Sequence, residues 1–434
     1  MSQLQPTTDA SLDQWLSYIE ACHPAEIELG LERMRQVAGR LPLDLSGSFK
    51  VVVAGTNGKG TSIRMLESIL QQAGLKVGTY TSPHFLRYNE RITLCGQAVD
   101  DALICAAFVQ VEAARQGVPL TYFEYGTLAA LIIFSDTVPD VLLLEIGLGG
   151  RLDSVNLVDA DVALVTTIAL DHTDWLGPDR ESIGFEKAGI FRAGCLAVCG
   201  DPHPPASLLK HAAKLSVDLR TNGQAYHYSL DADSLWTWQG QDLAGHTQVL
   251  SLLPRPSLPV QNAAAVLQVL QLMPFTIDKQ QLSAGLINAQ LTGRMQTACL
   301  AGFPCILDVA HNAEAATYLA SRLSQQAVSP THLLLGMLAD KDMLSVCEAL
   351  LPVVDHWHLA TLSNPRGASA AQLKQILNKL GVASTSMAEY GSVDTALTAL
   401  PSQLTAASRL VIAGSFFTVT DALKTVEWSD GHQG

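Results

Sequence analysis

The chain has 434 residues, 48% of them apolar and 16% charged, and a net charge of −14. That length exceeds one ordinary core and that composition is globular, which excludes a disordered chain and predicts two domains. A negative balance with no basic cluster argues against nucleic acid or an anionic membrane as the main partner.

Residues 1–13 are polar, carry Asp9 and Asp13, and lack the basic flank and apolar stretch of a signal peptide. The longest apolar runs, such as 128–134, fall short of the roughly 18 residues a membrane span needs. A soluble, cytoplasmic protein is expected. The β-branched run 49–54 predicts a strand that ends in glycine. The stripe of Ile63, Leu66, Ile69 and Leu70, with Gly74 behind it, predicts a helix over 61–73. A strand over 77–80 follows, then helices over 102–115 and 125–134. Strands are predicted at 141–144, terminating on Glu145, and at 162–168, just before Asp171 and His172. Strands alternating with helices mean a mostly parallel sheet covered on both faces, with ligands at the carboxyl ends of the strands. That rule places the glycine loop, Ser82, Glu145 and His172 along one edge. Residues 201–258 are less regular, and their Tyr226-His227-Tyr228 and Trp236-Thr237-Trp238 alternation predicts short antiparallel strands. A helix over 261–270 precedes a boundary near 293–297. Beyond it the alternation restarts, with strands at 305–309, 332–335, 356–359 and 410–413. One helix there is opened by Ser369 with Gln372 at capping-box spacing. The eight cysteines are scattered with no CxxC, so reduced, buried thiols are expected.

Three motifs carry chemistry. In Gly55-Thr56-Asn57-Gly58-Lys59-Gly60-Thr61, between strand and helix, glycines let the backbone wrap a phosphate chain and the helix N-terminus adds partial positive charge. Lys59 would neutralise β- and γ-phosphates, and Thr61 or Ser62 would meet Mg²⁺. Gly60 stands where the ordinary P-loop has Ser or Thr, so this is a variant loop. Glu145, at the end of an apolar strand, needs a cation, and Mg²⁺ prefers such oxygen donors. Lys187 lies in the otherwise apolar stretch 183–190, where burial would lower its pKa and expose a nucleophilic amine. A lone histidine such as His172 or a lone lysine is by itself more often structural.

These motifs, with Glu145-Ile146-Gly147-Leu148-Gly149-Gly150-Arg151-Leu152-Asp153, Asp171-His172-Thr173-Asp174-Trp175-Leu176-Gly177, Glu186-Lys187-Ala188-Gly189-Ile190 and Asp308-Val309-Ala310-His311-Asn312, resemble the landmarks of the Mur-ligase-like superfamily in its folate branch. The likeness runs from about residue 11 to 425 and includes the stretch from Leu120 to Thr127. It departs at Val155, Val309 and Ala313. It implies an α/β fold, with a P-loop-containing, mostly parallel ATP-binding Mur-ligase-like domain over 1–295. A smaller Rossmann-like α/β glutamate-ligase domain would follow over 296–434.

The resemblance implies an ATP-dependent ligase that joins L-glutamate to dihydropteroate and to the tail of reduced folates through an acyl phosphate. Gly55, Thr56, Asn57, Gly58, Lys59, Gly60 and Thr61 would hold ATP, with Asn262, Arg294 and Asp308. Ser82, Glu145, His172 and a carbamylated Lys187 would bind two Mg²⁺ ions. His311 would reach toward the reaction centre, making Lys59, His172, Lys187 and His311 the catalytic set. Glu28, Leu29, Gly30, Thr121, Leu152, Asp153 and Ser154 would line the pterin site. A monomer without nucleic-acid or membrane partners is expected, and domain closure would keep water from the acyl phosphate. Two alternatives stand beside this. A Mur-type ligase of UDP-linked peptides would want an extra N-terminal domain, and the roughly 50 residues before the loop are too few. A non-catalytic nucleotide binder would lack a metal ligand or the lysine, and none is missing.

Overall fold

In the computed structural model, which describes residues 5–7, 9–25, 27–231, 235–326 and 330–428, the chain divides into two units, Met1–Ala289 and Gln290–Gly434. The division falls a little before the expected boundary because Gly293 already belongs to the second unit. Its carbonyl accepts from Val309 N at 2.9 Å and its amide donates to Gln296 Oε1 at 2.9 Å. No helix among the described residues is long and apolar enough to cross a membrane.

The first unit is built on eight strands. They are β1 (Phe49–Ala54), β2 (Val77–Tyr80), β3 (Ile92–Leu94), β4 (Gln97–Ala98), β5 (Val141–Glu145), β6 (Val162–Val165), β7 (Leu196–Cys199) and β8 (Asp218–Thr221). They lie in the order β4-β3-β2-β5-β1-β6-β7-β8, all pairs parallel except the β2-β3 and β3-β4 pairs at one edge. Val51, Val52, Leu142, Leu143, Leu144, Ala163 and Leu164 are buried, as strands covered on both faces require. β1 lies between β5 and β6, with Val53 paired to Glu145 and Ala54 to Val165. The glycine loop therefore leaves the sheet with Glu145 on one side and the continuation of β6 on the other.

The helix after β1 is Lys59–Gln72, two residues longer at its start than the apolar stripe predicts. The expected 162–168 strand stops at Val165, although Thr166, Thr167 and Ile168 are β-branched. Thr166 N still donates to Ala54 O of β1, but Thr167 O accepts from the glycine loop and Ile168 bonds to side chains instead of to a ladder. The helix Tyr122–Thr137 begins earlier than predicted, at a capping box made by Thr121 and Glu124.

Residues beyond 226 form an antiparallel sheet of β9 (His227–Leu230), β10 (Leu235–Gln241) and β11 (Thr247–Pro254). Its alternation buries Trp236 and Trp238 fully, each contributing on the order of 2–3 kcal/mol from apolar burial. Trp238 Nε1 donates to Ala264 O (3.0 Å), and the Gln268 amide donates to Gln241 O (2.7 Å). The sheet thus buttresses the helix Val260–Gln271, which carries Asn262.

The second unit has β12 (Gln296–Leu300), β13 (Phe303–Asp308), β14 (Thr331–Leu335), β15 (His356–Ala360), β16 (Met387–Tyr390), β17 (Arg409–Ala413) and β18 (Glu427–Trp428). Their order is β16-β15-β14-β17-β13-β12-β18, parallel through the first five and antiparallel at β12 and β18. Leu333, Leu335, Trp357, Leu359 and Val411 lie in its core, and Ser369 and Gln372 cap the helix Ala370–Lys379 reciprocally. All eight cysteines are free thiols. Four are buried, and Cys95 is exposed, against the expectation of burial.

Candidate active site

The glycine loop is shaped by two residues that only glycine suits. Gly55 has φ +152°, and a Cβ there would lie 1.7 Å from Thr166 Oγ1. Gly58, the N-cap of Lys59–Gln72, has φ +89°, and a Cβ there would lie 2.6 Å from the Asn262 amide. No side chain caps this helix, so its first amides are left for an anion. Asn262 Nδ2 donates to Thr61 Oγ1 (2.7 Å), whose hydroxyl donates to Gly58 O (2.9 Å). Thr61 is thereby engaged, while the buried Ser62 hydroxyl has no hydrogen-bond partner among the described residues. Lys59 Nζ lies on the loop's own carbonyls, 3.1 Å from Gly55 O and 3.4 Å from Thr56 O. Gly58→Ala is expected to cost about 1–3 kcal/mol of stability from the forced left-handed backbone. It should also displace Asn262 and weaken ADP binding, and an unchanged ADP affinity by calorimetry would contradict this role.

Along the same sheet edge, Glu145 is buried at the end of β5 and its Oε2 accepts from Ser82 N at 3.1 Å. Lys187, on the helix Arg180–Ala188, is 3% exposed. Burial pushes its amine down to about 7, and the Lys59 ammonium acts in the same direction, while Asp171 and Asp153 pull upward. The helix is drawn in by Gly150, where a Cβ would strike Glu186 O at 2.7 Å, and by Arg151 N donating to Glu186 O (2.8 Å). Asp153 is buried too. Burial raises its carboxyl to about 7, against donors that include Leu148 N (2.8 Å) and Val155 N (2.9 Å). His172 has left-handed backbone (φ +50°) and is exposed, and its amide donates to Asp171 Oδ1 at 2.9 Å.

The residues expected around a pterin also gather. Gly30 N donates to Leu152 O (3.1 Å), and Ser154 Oγ lies 2.9 Å from Thr127 Oγ1. Thr121 N donates to the buried Glu124 carboxylate (2.8 Å). Arg33 joins that carboxylate (2.8 Å) to Glu28, which His23 meets from its other side (2.9 Å). Arg33, His23 and Glu124 have no role in the sequence reading, since the bonds that connect them span distant segments. Phe123 stacks with Tyr80 at 5.9 Å and closes over Gly147, where a Cβ would meet its ring at 2.7 Å.

In the second unit Asp308 is buried at the end of β13. Burial raises its carboxyl, while Arg294, His311 and the amides of Met295 and Ala310 (2.9 Å each) oppose. Arg294 lies over the Phe416 ring at 5.4 Å, and His311 Nδ1 is 2.9 Å from Val309 O.

Among the described residues, no group of three or more His, Cys, Asp or Glu could hold a metal. The expected ligand set contains two such side chains, Glu145 and His172, and takes its remaining donors from a hydroxyl and a lysine adduct. A buried strand-end carboxylate beside a serine suits a hard, oxygen-seeking cation that keeps waters and binds phosphate.

The Mur ligase middle domain family matches residues 53–241, and the Mur ligase, glutamate ligase domain family matches residues 293–416. A dihydrofolate synthase/folylpolyglutamate synthase of Escherichia coli (strain K12) is 44% identical over 424 residues, covering 97% of each chain. The Haemophilus influenzae protein of that name is 39% identical, covering 98% of this chain and 100% of its own. The structure of E. coli FolC in complex with DHPP and ADP superposes with a TM-score of 0.90 at 43% identity, covering 97% of this chain and 98% of that one. A bifunctional folylpolyglutamate synthase/dihydrofolate synthase with Mn, AMPPNP and L-glutamate bound gives 0.88 at 43% identity, covering 97% and 99%.

Proposed function

The chain belongs to the dihydrofolate synthase/folylpolyglutamate synthase family of Mur ligases, and from that membership we infer its reaction. It is an ATP- and divalent-metal-dependent ligase. It joins L-glutamate to dihydropteroate, forming 7,8-dihydrofolate, and to the glutamate tail of reduced folates, forming folylpolyglutamate. The observation that carries this reading is one sheet edge holding an uncapped glycine loop with Lys59, the buried Glu145 and the buried, weakly basic Lys187.

A carboxylate does not condense with an amine in water unaided. In this reading an oxygen of the acceptor carboxylate attacks the γ-phosphorus of ATP and ADP leaves. The glutamate amine then attacks the acyl carbon, loses its proton, and phosphate departs carrying that carboxylate oxygen. The first step brings two anions together, so fixed positive charge supplies much of the catalysis. The amides of Gly58, Lys59 and Gly60 and the Lys59 ammonium would cradle the phosphates, with Asn262, Arg294 and Asp308 also serving the nucleotide and His311 serving the reacting groups. Ser82, Glu145, His172 and carbamylated Lys187 would hold two Mg²⁺ ions, whose chemistry is to neutralise phosphate and acceptor charge. The amine of Lys187, free near neutral pH, is the form that combines with carbon dioxide. Glu28, Leu29, Gly30, Thr121, Leu152, Asp153 and Ser154 would fix the pterin. The same reading makes the protein a cytoplasmic monomer acting on small molecules.

Acceptor labelled with ¹⁸O in its carboxylate tests the chemistry. One labelled oxygen should appear in inorganic phosphate for each amide formed. Amide formation with unlabelled phosphate would overturn the acyl-phosphate route.

A further inference from the structure

β6 ends at Val165, where Gly200 N still donates to Val165 O (2.8 Å). Of the residues that follow, Ile168 and Ala169 have both backbone groups bonded, but by different partners from those of a strand. On one flank is the glycine loop. Thr56 N donates to Thr167 O (2.7 Å), and the Thr56 hydroxyl both donates to Ala169 O and accepts from Ala169 N, at 3.1 Å each. On the other flank is an ion pair. Asp201 Oδ2 accepts from Ile168 N (2.8 Å), and Arg180 Nε donates to Ile168 O (2.7 Å). Arg180 Nη2 closes the ring on Asp201 Oδ2 (2.9 Å) and also reaches His203 O (3.0 Å). Two consecutive residues thus have both backbone groups held by side chains, immediately before the turn that presents His172.

We infer that Arg180 and Asp201 are positioning residues, whose ion pair clamps the backbone of Ile168 and so holds His172 in register with the glycine loop for metal binding. This rests on the reading of His172 as a metal ligand given above. Without the Arg180 guanidinium Ile168 O loses its partner, and the segment keeps its Thr56 flank and a single bond from Ile168 N to an Asp201 carboxylate no longer fixed from behind, so the loop bearing His172 is held less firmly. Backbone bonds set the ligand's position here just as an outer-sphere carboxylate sets a ligand's ring orientation. The Arg180 side chain is 43% exposed, and Asp201 would keep the amides of Ile168 and His203 as donors. Loss of the guanidinium leaves the buried Asp201 carboxylate to those two amides, so Arg180→Gln should fold with lowered stability.

The test uses the full chain with ADP. Mn²⁺ binding is followed by electron paramagnetic resonance, and ADP binding without metal by thermal shift in EDTA. Arg180→Gln should bind Mn²⁺ about tenfold more weakly, the lower end of what an outer-sphere partner is worth. Half-saturating Mg²⁺ for turnover should rise by the same factor, with the acceptor KM and the metal-free ADP shift unchanged. Asp201→Asn, which keeps an acceptor for Ile168 N but breaks the ion pair, should show the same pattern. Mn²⁺ affinity within about twofold of wild type in both variants would overturn the inference, because an outer-sphere partner is worth more than that. So would an equal loss of ADP binding in EDTA, which marks a merely structural role. Wild-type protein that binds ADP but neither binds Mn²⁺ nor turns over would instead overturn the proposed function, and the inference with it.

Discussion

Lys187→Ala should lower kcat by about 10²–10³-fold or more, the scale on which removal of one preorganised electrostatic group acts, with the fold intact. The lysine is buried, and its amine is held down at about 7 by burial and by Lys59. A carbamate forms only from the free amine, so in bicarbonate-limited buffer activity should fall as pH drops through about 7 and return above it. Acetate or propionate, able to enter the space left in Lys187→Ala, should restore part of the rate by supplying the missing carboxylate. A variant with wild-type rate would contradict the role of this residue. Substitution of the lysine should affect stability oppositely to activity. Just above pH 7 the unfolded amine, at its ordinary 10.5, is protonated, while the folded one is largely neutral. The unfolded state binds more protons between about 7 and 10.5, so wild-type stability rises with pH across that window. Lys187→Met has no proton to lose. Without metal or carbon dioxide, near neutral pH, it should melt at a higher temperature than wild type while remaining inactive. A lower melting temperature would show that the buried amine is not a cost to the fold.

Lys59→Met carries the second large effect. Its ammonium rests on the carbonyls of Gly55 and Thr56, partners that phosphate oxygens would readily replace. Loss of a charge aimed at the transferring phosphoryl group should reduce kcat/KM for ATP by about 10²–10³-fold. The acceptor KM should hold. A further readout follows from Lys187. The Lys59 ammonium depresses that amine, so its removal should raise the Lys187 pKa and shift bicarbonate activation to higher pH. A pH profile that stays in place would mean that the two lysines do not feel one another.

The sequence makes the strands at the site legible as short apolar runs, and two of them, Val141–Glu145 and Phe303–Asp308, end abruptly on a carboxylate that a core would not accept. It makes the loop legible because Gly55 and Gly58 meet steric demands that no other residue satisfies. The strand expected over 162–168 ends three residues early, at Val165. β-branched residues report a preference for extended backbone, not whether a neighbouring strand is there to pair. Strand β8, Asp218–Thr221, is polar at its start and only partly buried, so it carries no apolar run to read. The helix Leu12–Glu20 does carry a signal, since Ser11 and Gln14 form a capping box and Leu12, Trp15 and Ile19 face inward. The clamp of Arg180 and Asp201 leaves no trace in composition or spacing. Its partners are backbone atoms of Ile168, and only the fold brings them together.

The most direct measurement is ADP release by the purified protein with ATP, Mg²⁺ and L-glutamate, with dihydropteroate as acceptor in one series and tetrahydrofolate in another. The account predicts glutamate-dependent turnover with both acceptors from the one site, lost together in Lys187→Ala. No turnover with either acceptor, in protein that binds ATP, would contradict it.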